Sequence, residues 1–349
     1  MTALATPPRT LVTGASGFLG SHVVRQLVAR GEPVRVLLRP SSQRRALDGL
    51  EVEYAWGDLR DPAALRAALR GVRYVFHVAA DYRLWARHPR EIYESNVTGT
   101  RNLLAAAAEA GVERFLYTSS VATIAVPRPG ALPNEATETR LQEMIGHYKR
   151  SKWLAEQEAR AAAQRGLPVV IVNPTTPVGP GDWKPTPTGR IILDFLRGQM
   201  PAYVDTGLNL VPVEDVAAGH LLARERGRPG ERYILGGENL SLREILSILA
   251  RITGRPAPRL RLPHWVAMLV AWVDTGLAGL DDRAPRVPLE GVRMARHRMF
   301  VDDSRARREL GFAPGSVAAA LERAVRWYEL HGYVPGSVAR SVARAPAAA

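Results

Sequence analysis

Residues 10–31 read TLVTGASGFLGSHVVRQLVARG. A short apolar run stops at Gly14, glycines recur at Gly17 and Gly20, and apolar residues then follow at helical spacing to Gly31. That order is strand, glycine turn, helix. Backbone N–H groups at the start of a helix, together with its dipole, attract a diphosphate, and glycine lets the main chain approach it closely. Three spaced glycines alone are a weak sign. With a strand before them and a helix after, a dinucleotide is a better reading than tight packing.

Outward from this unit the rhythm repeats. PVRVLLR ends at Arg39, EVEYAWGD at Asp58, RYVFHVAA at Ala80, VERFLYTSS at Ser120 and LPVVIVNP at Pro174, and each reads as a strand. DPAALRAALRG, NVTGTRNLLAAAAEAG and HYKRSKWLAEQEARAAAQRG read as helices. Alternating strands and helices predict an α/β fold, a doubly wound parallel Rossmann sheet with helices on both faces. Beyond Pro174, NPTTPVGPGDWKPTPTG builds loops of the kind that carry binding surface. Helices near 190–198, 214–226, 241–253, 263–273 and 316–331 follow, with one strand, RYILGG. The expected organisation is an NADP-binding Rossmann domain over 9–175, with 231–236 returning to the sheet, and a smaller, mostly helical substrate-binding lobe over 176–335. Residues 1–8 and 336–349 have no core-forming pattern and are expected to be disordered.

The totals narrow the function classes. The 349 residues are 46% hydrophobic and 23% charged, as in ordinary globular proteins. A net charge of +13 would suit nucleic acid, but the arginines are spread along the chain, so no nucleic-acid partner is expected. With no cysteine there is no disulfide, thiolate zinc site or cysteine nucleophile, and no metal is expected. MTALATPPRT lacks the pattern of a signal peptide, and the apolar stretch from Trp265 to Val273 falls short of the roughly 20 residues of a spanning helix. A cytoplasmic protein follows. HWVAMLVAWV, which contains Trp265 and Trp272, is expected to be buried in the lobe, with an apolar pocket or peripheral membrane contact as the alternatives.

The end of the second strand discriminates between dinucleotides. An acidic residue there would accept the ribose 2′-hydroxyl of NAD, whereas an arginine accommodates the 2′-phosphate of NADP. Arg39 stands there, with Arg44 close behind, so NADP is favoured over NAD. Asp58, ending the third strand, either reaches the adenine or caps the turn that follows it.

The chain has three lysines, and two lie in GHYKRSK, residues 146–152. Tyr148 and Lys152 are four apart and share a helix face, while Lys149 points elsewhere. An ammonium beside a phenol favours the phenolate, so a tyrosine near Lys152 is predicted to have a lowered pKa and to pass a proton to or from a secondary alcohol or ketone. A compact ammonium can also hold ribose hydroxyls. At the end of the fifth strand, Ser119 and Ser120 can supply a hydroxyl to the reacting oxygen.

With these residues in place, the chain resembles the extended short-chain dehydrogenase/reductase family over nearly its whole length. The motifs are TGASGFLG, the aspartate of GDLRD, FHVAA, Asn96 in NVTGTRNLL, the serine of YTSSVAT, and Tyr148 with Lys152. Within the family, ADYRLWA, MIGHYKRSK, NPTTPVGPGDWKPTPTGRII and PAYVDTGLNLV resemble the hopanoid-associated sugar epimerase group, which is similar to dihydroflavonol 4-reductases. The resemblance implies Tyr148 as proton donor or acceptor, Lys152 as its tuner and ribose ligand, and Ser120 as partner of the substrate oxygen. It places Gly14, Ser16, Gly17, Phe18, Leu19, Gly20, Arg39, Arg44, Asp58, Leu59, Val78, Ala79, Ala80, Asn96, Pro174 and Thr175 around the dinucleotide. A homodimer is also implied.

The sequence departs from sugar-nucleotide epimerases where those carry an arginine against the substrate diphosphate. Leu208 stands there, and a diphosphate would lose a bidentate partner. Ketone reduction is therefore the expected activity, with a sugar epimerase that retains its cofactor and a non-catalytic NADP sensor as alternatives. Arg83, Trp85, Ser119, Lys184 and Arg190 are the candidate contacts for a small-molecule substrate, since ligands bind in the loops after strand ends in such sheets.

Overall fold

The computed structural model describes residues 10–126, 132–280, 285 and 287–334. The two terminal segments expected to be disordered lie outside the described residues.

Six strands of the first half run β1 (Thr10–Thr13), β2 (Val34–Leu38), β3 (Glu53–Trp56), β4 (Tyr74–His77), β5 (Arg114–Thr118) and β6 (Val169–Pro174). Between them lie α1 (Phe18–Ala29), α2 (Pro62–Ala68), α3 (Arg90–Tyr93), a π-helical turn (Glu94–Thr98), α4 (Gly99–Glu109) and α5 (Gly146–Gln164). The local chemistry is visible in α2, where Asp61 caps the amides of Ala63 and Ala64 and Pro62 opens the first turn.

Past β6 the chain forms β7 (Thr176–Val178), α6 (Pro187–Leu196), β8 (Ala202–Val204), β9 (Gly207–Pro212), α7 (Val213–Arg226), β10 (Arg232–Leu235), β11 (Glu238–Ser241) and α8 (Leu242–Thr253). It ends with β12 (Leu260–Leu262), α9 (His264–Leu280), α10 (Leu289–Met294), α11 (Ser304–Leu310) and α12 (Val317–Leu330).

The main sheet has seven strands in the order β10-β6-β5-β4-β1-β2-β3, all parallel. The order reverses between β1 and β4, and that switch point opens a crevice outside the carboxyl ends of the strands. One face is covered by α1 and α7, packed on each other, with Val12, Val36, Val172 and Leu221 fully buried. The other is covered by α2, α4 and α5 over Leu11, Val75, Phe115 and Ile171.

The part after β6 is mostly helical, with β10 in the main sheet, and it also carries short strands the sequence did not declare. α7, β10 and α11 complete the Rossmann sheet side, through Val216, Tyr233 and Leu310. The remainder holds a three-stranded sheet β11-β9-β7 and the pair β12-β8 on a core of α6, α8 and α12. These strands are three to six residues long, too short for a period-2 pattern to declare itself.

Candidate active site

The glycine turn sits at the switch point. Gly14 has φ +70°, and a Cβ there would lie 2.6 Å from the backbone of Ala79. A Cβ on Gly20 would collide with the Gly14 carbonyl oxygen. The turn is thus wedged between α1 and the segment after β4 with no room for a side chain. No side chain caps α1 at Gly17, so the first-turn amides, those of Phe18, Leu19 and Gly20, have no partner inside the helix. This cradle suits the diphosphate of a dinucleotide. Ser16 lies in the turn, Leu19 and Val78 pack on the apolar core beneath, and Phe18 meets His22 edge-on.

The wall opposite is braced by a buried hydrogen-bond chain. Thr13 Oγ1 accepts the Ala79 N–H at 3.3 Å and lies 2.7 Å from His77 Nδ1, and His77 Nε2 lies 2.9 Å from Thr100 Oγ1. Burial, with a smaller push from the Lys152 charge, lowers His77 to about 3, so the ring is neutral and bridges two hydroxyls. Nothing in the motif reading pointed to His77.

Several expected cofactor contacts have other tasks. Asn96, 2% exposed in the π-helical turn, accepts the Asp81 N–H at 2.7 Å and donates to Asp81 O and Ser151 Oγ, each at 2.9 Å. Both amide hydrogens and the amide oxygen are engaged, so the side chain clamps the wall segment to α5. Thr175 donates its hydroxyl to Leu235 O, holding Pro174 and the end of β6 against β10. Asp58 is held below the usual carboxylate range by the Arg60 side chain, and it also accepts the Arg60 N–H, which is the turn-capping role. Leu59 packs on the core and accepts from Asn102.

Of the two expected 2′-phosphate arginines, Arg44 lies over the rings of Tyr54 and Trp56, at 5.7 and 6.0 Å. Arg39 is exposed, its guanidinium makes no hydrogen bond among the described residues, and its charge reaches Asp58 through space.

The proton-handling group lies on α5 and the end of β5. Tyr148 keeps part of its surface exposed; burial of the rest raises the phenol, and the neighbouring Ser120 hydroxyl pulls the other way. Lys152 is 2% exposed, donates from Nζ to Thr118 O at 2.7 Å and lies 4.7 Å from the centre of the Tyr117 ring. Burial lowers it to about 7. The expected lowering of the phenol by this ammonium is therefore corrected: the lysine is aimed at a carbonyl and a ring face, and at Tyr148 burial outweighs the effect of Ser120.

The choice between neighbouring serines is decided by Glu156, one turn along α5 from Lys152. Ser119 donates to Glu156 Oε2 at 2.6 Å, and Thr123 and Asn173 donate to the same oxygen at 2.9 and 3.0 Å. Arg160 and Arg232 each reach Oε1 at 3.2 Å. Burial opposes ionisation of Glu156, but Arg232, Ser119, Arg160 and Thr123 together hold it below its ordinary value. Ser119 is thus withdrawn as a substrate contact, and Ser120 is the serine that meets Tyr148.

Residues 10–236, about two thirds of the chain, match the family described as NAD dependent epimerase/dehydratase. The chain belongs to the NAD-dependent epimerase/dehydratase family. Over 327 residues it is 50% identical to a putative dihydroflavonol 4-reductase of a Synechocystis species, covering 93% of this chain and 95% of that one. It is 42% identical over 327 residues to sterol demethylase protein B of Methylococcus capsulatus, covering 93% and 99%. Among solved structures, dTDP-glucose 4,6-dehydratase from Streptomyces venezuelae with NAD bound superimposes with a TM-score of 0.75 at 27% identity, covering 94% of this chain and 99% of that one. This is the extended short-chain dehydrogenase/reductase family, whose members are oxidoreductases, epimerases and dehydratases that use a nicotinamide dinucleotide.

On the substrate side of this family fold, the loop after β4 meets the loop after β7. Tyr82 donates to the Lys184 carbonyl at 3.3 Å, and burial first, then Asp182, raises its phenol to about 12, with Arg190 opposing. Lys184 and the exposed Arg190 are therefore brought together there, and Trp85 lies half-exposed on the same β4 loop. Arg83, expected as a substrate contact, is paired to Asp81 at 2.6 Å and Glu91 at 2.9 Å. Tyr82 and Asp182 escaped the motif reading, because only the crossing of two loops distant in sequence makes them neighbours. Leu208, at the position where a diphosphate-binding arginine is missing, packs on the apolar core of the lobe.

Proposed function

We propose that the protein is an NADPH-dependent reductase of a ketone on an apolar, ring-containing substrate of the hopanoid or sterol type. The observation that carries this reading is the Ser120 hydroxyl beside the Tyr148 phenol, on the helix that also carries Lys152. A phenol is protonated at neutral pH and can donate that proton to a carbonyl oxygen. The dinucleotide, when bound, supplies the hydride to the carbonyl carbon. Tyr148 delivers its proton to the carbonyl oxygen, Ser120 orients that oxygen by hydrogen bonding, and Lys152 holds the tyrosine's helix against the end of β5 through the Thr118 carbonyl. Dinucleotide contacts are assigned to the cradle from Gly14 to Gly20, to Ala79 and Ala80, and to Arg39 for the 2′-phosphate.

The apolar substrate class is supported by the names of the two relatives, a dihydroflavonol reductase and a sterol demethylase component, and by Leu208 in the place of a diphosphate partner. The test is the fate of the dinucleotide. After exhaustive desalting the protein is expected to be empty, to bind NADPH more tightly than NADH, and to lose that preference in Arg39→Asp. Stoichiometric retained dinucleotide would instead mean an epimerase that cycles its cofactor in place.

A further inference from the structure

The helix α9, HWVAMLVAWVDTGLAGL, is turned inside out with respect to the burial expected of it. Trp265 is 69% exposed and Trp272 70%, and Leu269, Val270, Val273 and Leu277 are each about half exposed. At 100° per residue these six and Gly276 cover one continuous arc of the helix, with no charged or hydrogen-bonding side chain other than the indole N–H. The polar side chains face inward: Asp274 accepts the Val287 N–H at 2.8 Å, and His264 Nε2 lies 3.2 Å from Asp205 O. Apolar residues scattered singly on a surface need no explanation, but a contiguous arc with two tryptophans marks an interaction face.

Among the described residues near this helix in sequence, arginines outnumber carboxylates. Among the described residues from 259 to 298, each exposed charged side chain is an arginine: Arg259, Arg261, Arg293, Arg296 and Arg298. Arg261 and Arg298 share a single carboxylate, Asp205, at 3.0 and 3.1 Å, which leaves that cluster positive. α10, which carries Arg293, packs along α9.

We propose that α9 is the membrane-docking helix of this protein, lying in the headgroup region of an anionic lipid bilayer with Trp265 and Trp272 as its anchors. Its 17 residues span about 25 Å, short of the roughly 30 Å hydrocarbon layer, and no described helix is long and apolar enough to cross a membrane, so the helix lies along the surface. Tryptophan favours this interfacial depth, and arginine around an apolar face attracts anionic headgroups. A second copy of the chain fits poorly, because a two-fold contact through this face would set arginine rims against each other. Docking also orients the crevice. Glu290 of α10 lies over Gly146, the first residue of the Tyr148 helix, and Gly291 neighbours Leu84 of the β4 loop. The docked face therefore adjoins the substrate side of the site.

The inference stands apart from the ketone reading, since its test measures binding without turnover. Whole protein is floated with vesicles of phosphatidylcholine, with and without phosphatidylglycerol. Capture is expected with the anionic vesicles, weakly with the neutral ones, and falling as salt is added. The double variant Trp265→Ser, Trp272→Ser should lose on the order of tenfold or more in vesicle affinity while binding dinucleotide as the wild type does. Should it fail that folding check, Arg293→Glu with Arg296→Glu takes its place, with the same loss expected. No capture by anionic vesicles, or equal capture of wild type and variants, overturns the proposal. So does a dimer in solution that the tryptophan variant abolishes, with no vesicle capture, which would assign the face to a second copy.

Discussion

Lys152 Nζ lies 2.7 Å from the carbonyl oxygen of Thr118, two residues before the serine that meets Tyr148. The lysine therefore ties the catalytic helix to the end of β5, and it does so from a site that disfavours its charge. Burial holds it at about 7 against an ordinary 10.5, so between these values the unfolded chain binds more protons than the folded one. Stability due to this group consequently rises with pH through that window and is lowest below 7. Replacing it by methionine removes the dependence. In urea melts, the stability of Lys152→Met relative to wild type should be greatest below pH 7 and fall by up to about 1.4 kcal/mol per pH unit above it. A difference that stays level to pH 10 would show that the lysine is not perturbed.

Tyr148 and the adjacent serines make a sharper test of chemistry. Tyr148→Phe should reduce turnover by about 10²–10⁴-fold with dinucleotide affinity unchanged. Ser120→Ala should cost about 10²–10³-fold in kcat. Ser119→Ala should leave kcat near wild type and cost about 1–3 kcal/mol of stability, because Glu156 loses a buried partner. Equal kinetic losses at both serines would contradict the assignment.

Glu156 is the hub beneath that site. Glu156→Gln leaves the largely buried Arg232 without its carboxylate and should destabilise the fold by about 3–5 kcal/mol. The group is held below its ordinary 4.5, so its contribution is present above that pH and is lost as pH falls through the folded value. The variant should accordingly show a smaller loss of stability on acidification than the wild type. Parallel acid profiles would remove Glu156 from the account of acid sensitivity.

Gly14→Ala adds a Cβ 2.6 Å from the Ala79 backbone at a φ of +70°. It should cost at least about 1–3 kcal/mol and abolish dinucleotide binding, read together by thermal melting and NADPH fluorescence titration. Gly31→Ala has the same sign of φ but open space around it, so it should carry a smaller stability cost and leave binding intact. Equal binding losses would mean that the effect is one of general folding.

Much of this molecule was legible residue by residue. The strand, glycine turn and helix of 10–31 declare themselves because apolar period and glycine placement are local properties, and the same holds for β2 to β6 and for α2, α4 and α5, but not for the short α3 or for α11. Tyr148 and Lys152 share a helix face by spacing alone. The short strands β7, β8, β9, β11 and β12 were not legible, since three to six residues are too few to carry a period.

What the amino-acid order determined was the α/β alternation, the diphosphate cradle and the tyrosine–lysine helix, all set by contacts within about one turn or one strand. Tertiary structure alone decided that Ser119 bonds to Glu156 while Ser120 neighbours Tyr148, that Asn96 clamps a wall segment to α5, and that Lys152 points at a carbonyl. It also decided that the apolar face of α9 looks outward. A hydrophobic period reveals that a helix has a face; which side of the molecule that face meets depends on packing against segments far away in the chain.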